Sequence, residues 1–161
     1  MEENKDGDRE FSVNKLKREE ALREYYNVDS KISHFEEIRL KVKSWSVTSG
    51  GVAIDFGFAE KQVALFALAA LGGFIFWYLD ASWKEAEQDM IDLCSELELA
   101  LAKPRPEYEG PSIGRTFKRK FHTRITKRRF FRTMFYENVW LPHSIIVVLG
   151  IALSIGAHFR I

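Results

Sequence analysis

Two stretches of the chain hold no charged residue: Val63 to Leu79, and Val139 to Phe159 with neutral histidines. Runs of about 18 or more apolar residues mark bilayer spans, because about 20 helical residues cross about 30 Å of hydrocarbon. The first run is slightly short, which puts its ends in the interfacial zone. Upstream, Val13 to Tyr26 is rich in helix formers, whereas residues 1 to 12 read as disordered. Asn27-Val28-Asp29 predicts a break, after which Asp29 or Ser30 can N-cap a second helix through Ile32, Phe35, Ile38, Leu40 and Val42 to Trp45. Ala81 to Ala102 predicts a helix whose Ala86, Met90, Leu93, Leu97 and Ala100 recur every three or four positions on one face. Pro104, Pro106, Gly110 and Pro111 predict a linker. Gly114 to Tyr136, if helical, gathers Phe117, Phe121, Ile125, Phe131 and Phe135 on one side. Asn138 and Pro142 suit the start of the last span.

Ser44 to Ala59 is apolar or small throughout except for Asp55. An Asp near the centre of a span costs roughly 2.5–3.5 kcal/mol on insertion scales, so hydropathy alone leaves this segment undecided. Charge asymmetry decides it. Residues 1–43 carry ten Lys and Arg, and residues 82–140 carry twelve, so both flanks should stay in the cytoplasm. One crossing between them would expel one flank, whereas two keep both inside. Glu60-Lys61-Gln62 then becomes a tight extracytoplasmic turn. Trp45, Trp77, Trp83 and Trp140 all fall at the expected cytoplasmic interface, where an amphipathic ring prefers to sit.

The expected fold is all-α: an integral membrane protein with three transmembrane helices. Residues 1–43 form a cytoplasmic helical arm and 44–81 a transmembrane hairpin. Residues 82–138 return to the cytoplasm as an acidic helix, a Pro-rich linker and a basic amphipathic helix, and 139–161 form the last span. The N-terminus is expected inside and the C-terminus outside. The whole-chain net charge of +1 hides this arrangement because charged and apolar residues are segregated. The first ten residues are acidic and polar, the opposite of a signal peptide, so insertion is expected through the internal spans.

Catalytic chemistry is not expected. Cys94 is the single cysteine, which excludes an intrachain disulfide. His34, His122, His143 and His158 are scattered, with no zinc spacing. There is no Walker-type loop and no Gly-x-Ser-x-Gly. No cofactor, metal or enzymatic activity is therefore expected. Arg115 and His122, with six residues between them, resemble the Arg-x(4–6)-His pattern of HEPN ribonucleases, but Thr116 departs from the usual residue after the Arg. That pattern carries no expectation of activity here.

Three features are candidates for function. Asp55 is an acid within a span, and such acids usually face protein or water. It fits a pore or proton-sensitive gate, or equally an acid reaching water about 7 Å from the outer turn. Arg115, Lys118, Arg119, Lys120, Arg124, Lys127, Arg128, Arg129 and Arg132 form a basic surface. Beside a span it suits anionic lipids, at about 1 kcal/mol per residue, or a surface-lying helix that fixes topology. It could instead contact a protein partner or pair with the acidic helix, whose six acids against Lys84 give a net −5. Nucleic-acid binding through phosphate contacts and stacking is the less favoured use. Gly50, Gly51, Ala69, Gly73, Gly150 and Ser154 are small residues for helix packing, within the chain or in a homo-oligomer.

Two stretches resemble a widespread, uncharacterised group of small bacterial multi-span membrane proteins. Lys43-Ser44-Trp45-Ser46-Val47-Thr48 is similar to the Lys-Gly-Trp-Ser-Val-Thr at that group's first span, and Phe76-Trp77-Tyr78-Leu79-Asp80 is similar to its second signature. The resemblance covers roughly residues 32–95 and implies that residues 44–59 cross the membrane. The organisation is also similar to small multi-span anti-phage effectors. The resemblances carry no activity; the small polar-containing span, the cytoplasmic surface and the missing catalytic residues point to an inner-membrane effector or accessory protein that oligomerises and perturbs the membrane, in phage defence. The alternative is a passive anchor recruiting a soluble cytoplasmic partner.

Overall fold

The computed structural model describes residues 3–103, 108, 110, 114 and 127–159, with the side chains of 3–10, 127, 128 and 158 left aside. All regular structure among them is helical. The elements are α1 (Glu3–Ala59), α2 (Val63–Ala102), α3 (Lys127–Met134) and α4 (Glu137–His158).

The first difference from expectation is that α1 runs unbroken through Asn27-Val28-Asp29 and begins at Glu3, where disorder was expected. Asn, Val and Asp each lose only a few tenths of a kcal/mol in a helix. Val28 and Ala21 are fully buried, and burying one Val side chain contributes about 1.5 kcal/mol or more. Packing therefore outweighs propensity. Asp29 and Ser30 are interior helical positions and cap nothing. The second difference lies at Ala81, where hairpin and acidic helix were read as separate elements. They are one 40-residue helix, α2. No Gly or Pro stands between Phe74 and Ala102 to stop it.

Glu60–Gln62 forms the turn between α1 and α2. Lys61 adopts the left-handed conformation with φ 53°, and Gln62 N–H donates to Gly57 O at 3.1 Å. That bond closes a Schellman-type helix end, in which glycine is the usual residue at the left-handed position. A non-glycine residue there is disfavoured by roughly 1–2 kcal/mol. α4 starts after Tyr136, whose carbonyl accepts from Val139 and Trp140 N–H at 2.8 and 3.0 Å. Pro142 lies inside α4 rather than at its first position, so it interrupts the helical ladder there.

The chain divides into two compact units. The first comprises Met1–His34 and Glu87–Ile125, the second Phe35–Ala86 and Thr126–Ile161. In the first unit, Ala21 and Val28 of α1 and Met90, Leu93 and Leu97 of α2 are buried. In the second, Ala81, Met134 and Val139 form a small core against Trp77, Phe130 and Tyr136. Trp77 Nε1 donates to Met134 O at 2.8 Å, which ties α2 to the end of α3.

Two helices, α2 and α4, are long and apolar enough to cross a membrane; α1 is not. Three spans were expected from the sequence. Ser44, Ser46, Thr48, Ser49, Gly50, Gly51, Asp55 and Gly57 keep the end of α1 below the hydropathy of a span. Only 22% of each apolar window in α2 and α4 is buried. A soluble core helix would be mostly covered, so their apolar surface instead faces outward.

Candidate functional site

A polar cluster lies inside the second unit and draws on three helices. α1 supplies Arg39, Lys43 and Ser46, α2 supplies Asp80, and α4 supplies His143. Arg39, Lys43, Ser46 and Gly50 follow one another at spacings of four, three and four, which is one face of a helix. Asp80 and His143 are fully buried, and Arg39 and Ser46 nearly so. Lys43 keeps its side chain partly exposed at the edge.

Asp80 is the hub. Its Oδ1 accepts from Arg39 Nε at 2.8 Å, while Oδ2 lies 3.6 Å from Lys43 Nζ and 3.4 Å from His143 Nε2. On the other edge of the ring, Nδ1 is 2.8 Å from Ser46 Oγ. A neutral imidazole with its proton on Nε2 satisfies both contacts: it donates to Asp80 and accepts from the Ser46 hydroxyl. A carboxylate taken from water into a protein interior is tolerated only when paired and hydrogen-bonded. Here one acid is shared by two cations and a ring, so the second unit holds α1, α2 and α4 together through a single side chain.

Serine, histidine and aspartate in series also match the connectivity of a hydrolytic triad. The environment argues against that use. Ser46 is 1% exposed and His143 0% exposed, so no substrate carbonyl reaches Oγ, and Arg39 and Lys43 already neutralise the acid. Buried and charge-paired in this way, the arrangement serves as a structural tie.

Small residues set the helix spacing around this cluster. A Cβ at Gly150 would meet Phe66 O and Ala70 N at 2.7 and 2.8 Å, so α2 and α4 touch backbone to backbone there. A Cβ at Gly73 would lie 3.4 Å from His143 O and against Ile146 and Val147. Gly50 faces Ile146 in the same way. Ala69 is buried and Ser154 half-buried, whereas Gly51 opens onto space. Close contact of this kind is what glycine and alanine permit between apolar helices. Gly57, which sequence reasoning did not single out, plays the same part against the ring of Phe66.

Asp55 is not part of the cluster. It is exposed, on the face of α1 opposite Ser46 and Gly50. Ser44, Thr48, Gly51 and Asp55 repeat at spacings of four, three and four and are all exposed. Val47, Val52, Phe56 and Phe58 beside them are exposed as well.

Of the basic surface, Arg115, Lys118, Arg119, Lys120 and Arg124 lie outside the described residues, as does the Arg115–His122 pair. Lys127 and Arg128 are described only as part of α3, and Arg129 and Arg132 are exposed on it. Phe131 and Phe135 also point outward, while Phe130 and Met134 pack inward.

The first unit carries its own polar grouping. Tyr25 Oη donates to Glu98 Oε1 at 3.0 Å. That bond, with Cys94 next in importance, pushes the phenol up from its ordinary value to about 12. Burial pushes the Cys94 thiol up. Tyr108 Oη donates to buried Glu24 at 2.8 Å.

Sequence reasoning assigned the cluster residues Lys43, Ser46 and Asp80 no common site. Asp80 was legible as the residue that ends a charge-free run, and His143 as an ionisable group inside the other. Arg39, Lys43 and Ser46 share a helical face only once the helix expected to end at Trp45 is carried on into residues 44–59, which were read as a separate span. No metal-binding group occurs among the described residues. No protein-family model matches the chain, and neither does any curated protein or solved structure.

Proposed function

We propose that the chain is a bacterial inner-membrane protein of three crossings, with its N-terminus in the cytoplasm and its C-terminus outside. In this reading it self-associates through α1 and perturbs the membrane as an effector or accessory protein in phage defence. The observation that carries the reading is the outward face of α1. Val47, Val52, Phe56 and Phe58 are exposed there, as are the apolar residues of α2 and α4 in the same unit. Lipid suits such a surface, but Asp55 does not suit lipid, and an acid in hydrocarbon costs roughly 2.5–3.5 kcal/mol. A second copy placing its own Ser44–Thr48–Gly51–Asp55 stripe against the first would cover the acids or enclose them with water. Small residues permit the close approach.

Self-association is tested with Thr48→Cys in a Cys94→Ser background. Oxidation of native membranes should give a disulfide-linked dimer through position 48, and a monomer at every oxidant dose would count against the interface. Membrane perturbation is tested by induced expression with a potential-sensitive dye, where depolarisation is expected and sustained polarisation under every trigger would sink it.

A second reading, a passive anchor for a soluble partner, draws on the first unit. Phe11, Leu16, Tyr26 and Leu99 are exposed there, between 57% and 73%. Purification in mild detergent separates the two readings. An anchor brings down a stoichiometric partner, whereas the effector runs as a homo-oligomer.

A further inference from the structure

The second unit contains a cleft remote from the Asp80 cluster. It is lined by Gly57 and Phe58 at the end of α1, Lys61 in the turn, Val63 and Phe66 of α2, and Ala152, Leu153, Gly156 and Ala157 of α4, with a volume of about 510 Å³. Its chemistry is uneven. Among the described residues that line it, Lys61 alone is charged, and the others are apolar or small. The left-handed backbone at Lys61 sets the turn that places this exposed lysine at the rim of an apolar slot. An L-residue is held in that conformation only when the surrounding structure over-determines it. Gly156 contributes space rather than contact, since a Cβ there would meet nothing within 4 Å.

We infer that this cleft is a binding site for one anionic phospholipid, its phosphate at Lys61 and one acyl chain along Phe58, Phe66 and Leu153. The volume lies within the 300–1,000 Å³ range of ligand sites. Charge complementarity selects the head group: Lys61 attracts a phosphate, and a net negative lipid is held more strongly than a zwitterionic one. The neighbouring Glu60 is exposed and lies outside the lining. The inference rests on the membrane reading above and adds an extracytoplasmic lipid site to it.

The test uses the full chain reconstituted into phosphatidylcholine vesicles containing phosphatidylglycerol. Flotation is scored first, and retained lipid is then counted by native mass spectrometry from mild detergent. Wild type should retain one more phosphatidylglycerol than Lys61→Gln. The variant's preference for that lipid should fall about fivefold, the ratio that about 1 kcal/mol per basic residue at a membrane surface gives. Gly156→Leu, at a lining position where an added Cβ meets no atom within 4 Å, should lose the same lipid while keeping its helical spectrum. A chain that floats while wild type and both variants retain equal phosphatidylglycerol overturns this inference alone. A chain that does not float overturns the membrane reading and the site with it.

Discussion

Asp80 and Asp55 are both acids in the second unit, and they occupy opposite environments. Asp80 is fully buried, with Arg39, Lys43 and His143 around its two oxygens. Asp55 is exposed on the outward face of α1. The contrast shows what an acid contributes in an apolar unit: inside, it is tied down and binds three helices; outside, it leaves a demand for water or another polar surface. Cohesion of the second unit rests on the first acid, and the proposed association between copies would engage the second.

The largest expected effect comes from breaking the inner acid. Asp80→Ala leaves Arg39 buried without its carboxylate, and removing one partner of a buried pair typically costs about 3–5 kcal/mol. Thermal melting in detergent, followed by helical circular dichroism, should show the second unit's transition lowered or lost. Asp55→Ala should leave that transition in place and instead change the yield of the position-48 cross-link. Equal melting of the two variants would erase the distinction between the two acids.

A smaller effect separates inward from outward glycines. Gly150→Leu drives a side chain into backbone atoms of Phe66 and Ala70, and overpacking of this kind costs typically about 1–3 kcal/mol. A Cβ at Gly51 would meet nothing within 4 Å, so Gly51→Leu should leave the melting temperature unchanged while weakening the cross-link. A destabilised Gly51→Leu monomer would show that the outward face is already covered within one chain.

The smallest effect lies in the first unit. The neutral Tyr25 phenol donates to Glu98, so its contribution is complete below the ordinary tyrosine value near 10 and is lost as pH rises through about 12. A folded-state value raised above the unfolded one sets this sign. Tyrosinate absorbance should therefore include a transition near 12 that Tyr25→Phe removes. An unchanged high-pH limb in Tyr25→Phe would place the phenol in open water.

Much of the helical architecture was legible in periodicity and charge, including the turn at Glu60–Gln62 and the apolar runs of α2 and α4. The continuity of α1 was not legible. Local propensity at Asn27-Val28-Asp29 opposes it, and only the burial of Val28, which depends on tertiary packing, restores it. The cluster was illegible for a related reason. Asp80 and His143 stand 63 positions apart, each at a boundary or inside a run where hydropathy counts them only as exceptions. Asp55 drew attention because it interrupts an apolar segment, yet interruption does not reveal which face of the helix carries it.

The three-crossing topology underlies the proposed function, and the side of the membrane on which the α1–α2 turn lies tests it most directly. Gln62→Cys in the Cys94→Ser background should be labelled in intact cells by a membrane-impermeant maleimide. Ser12→Cys in the same background should label only after permeabilisation. If Gln62→Cys and Ser12→Cys both wait for permeabilisation, residues 44–59 do not cross, and Asp55 is an interfacial residue on the cytoplasmic side.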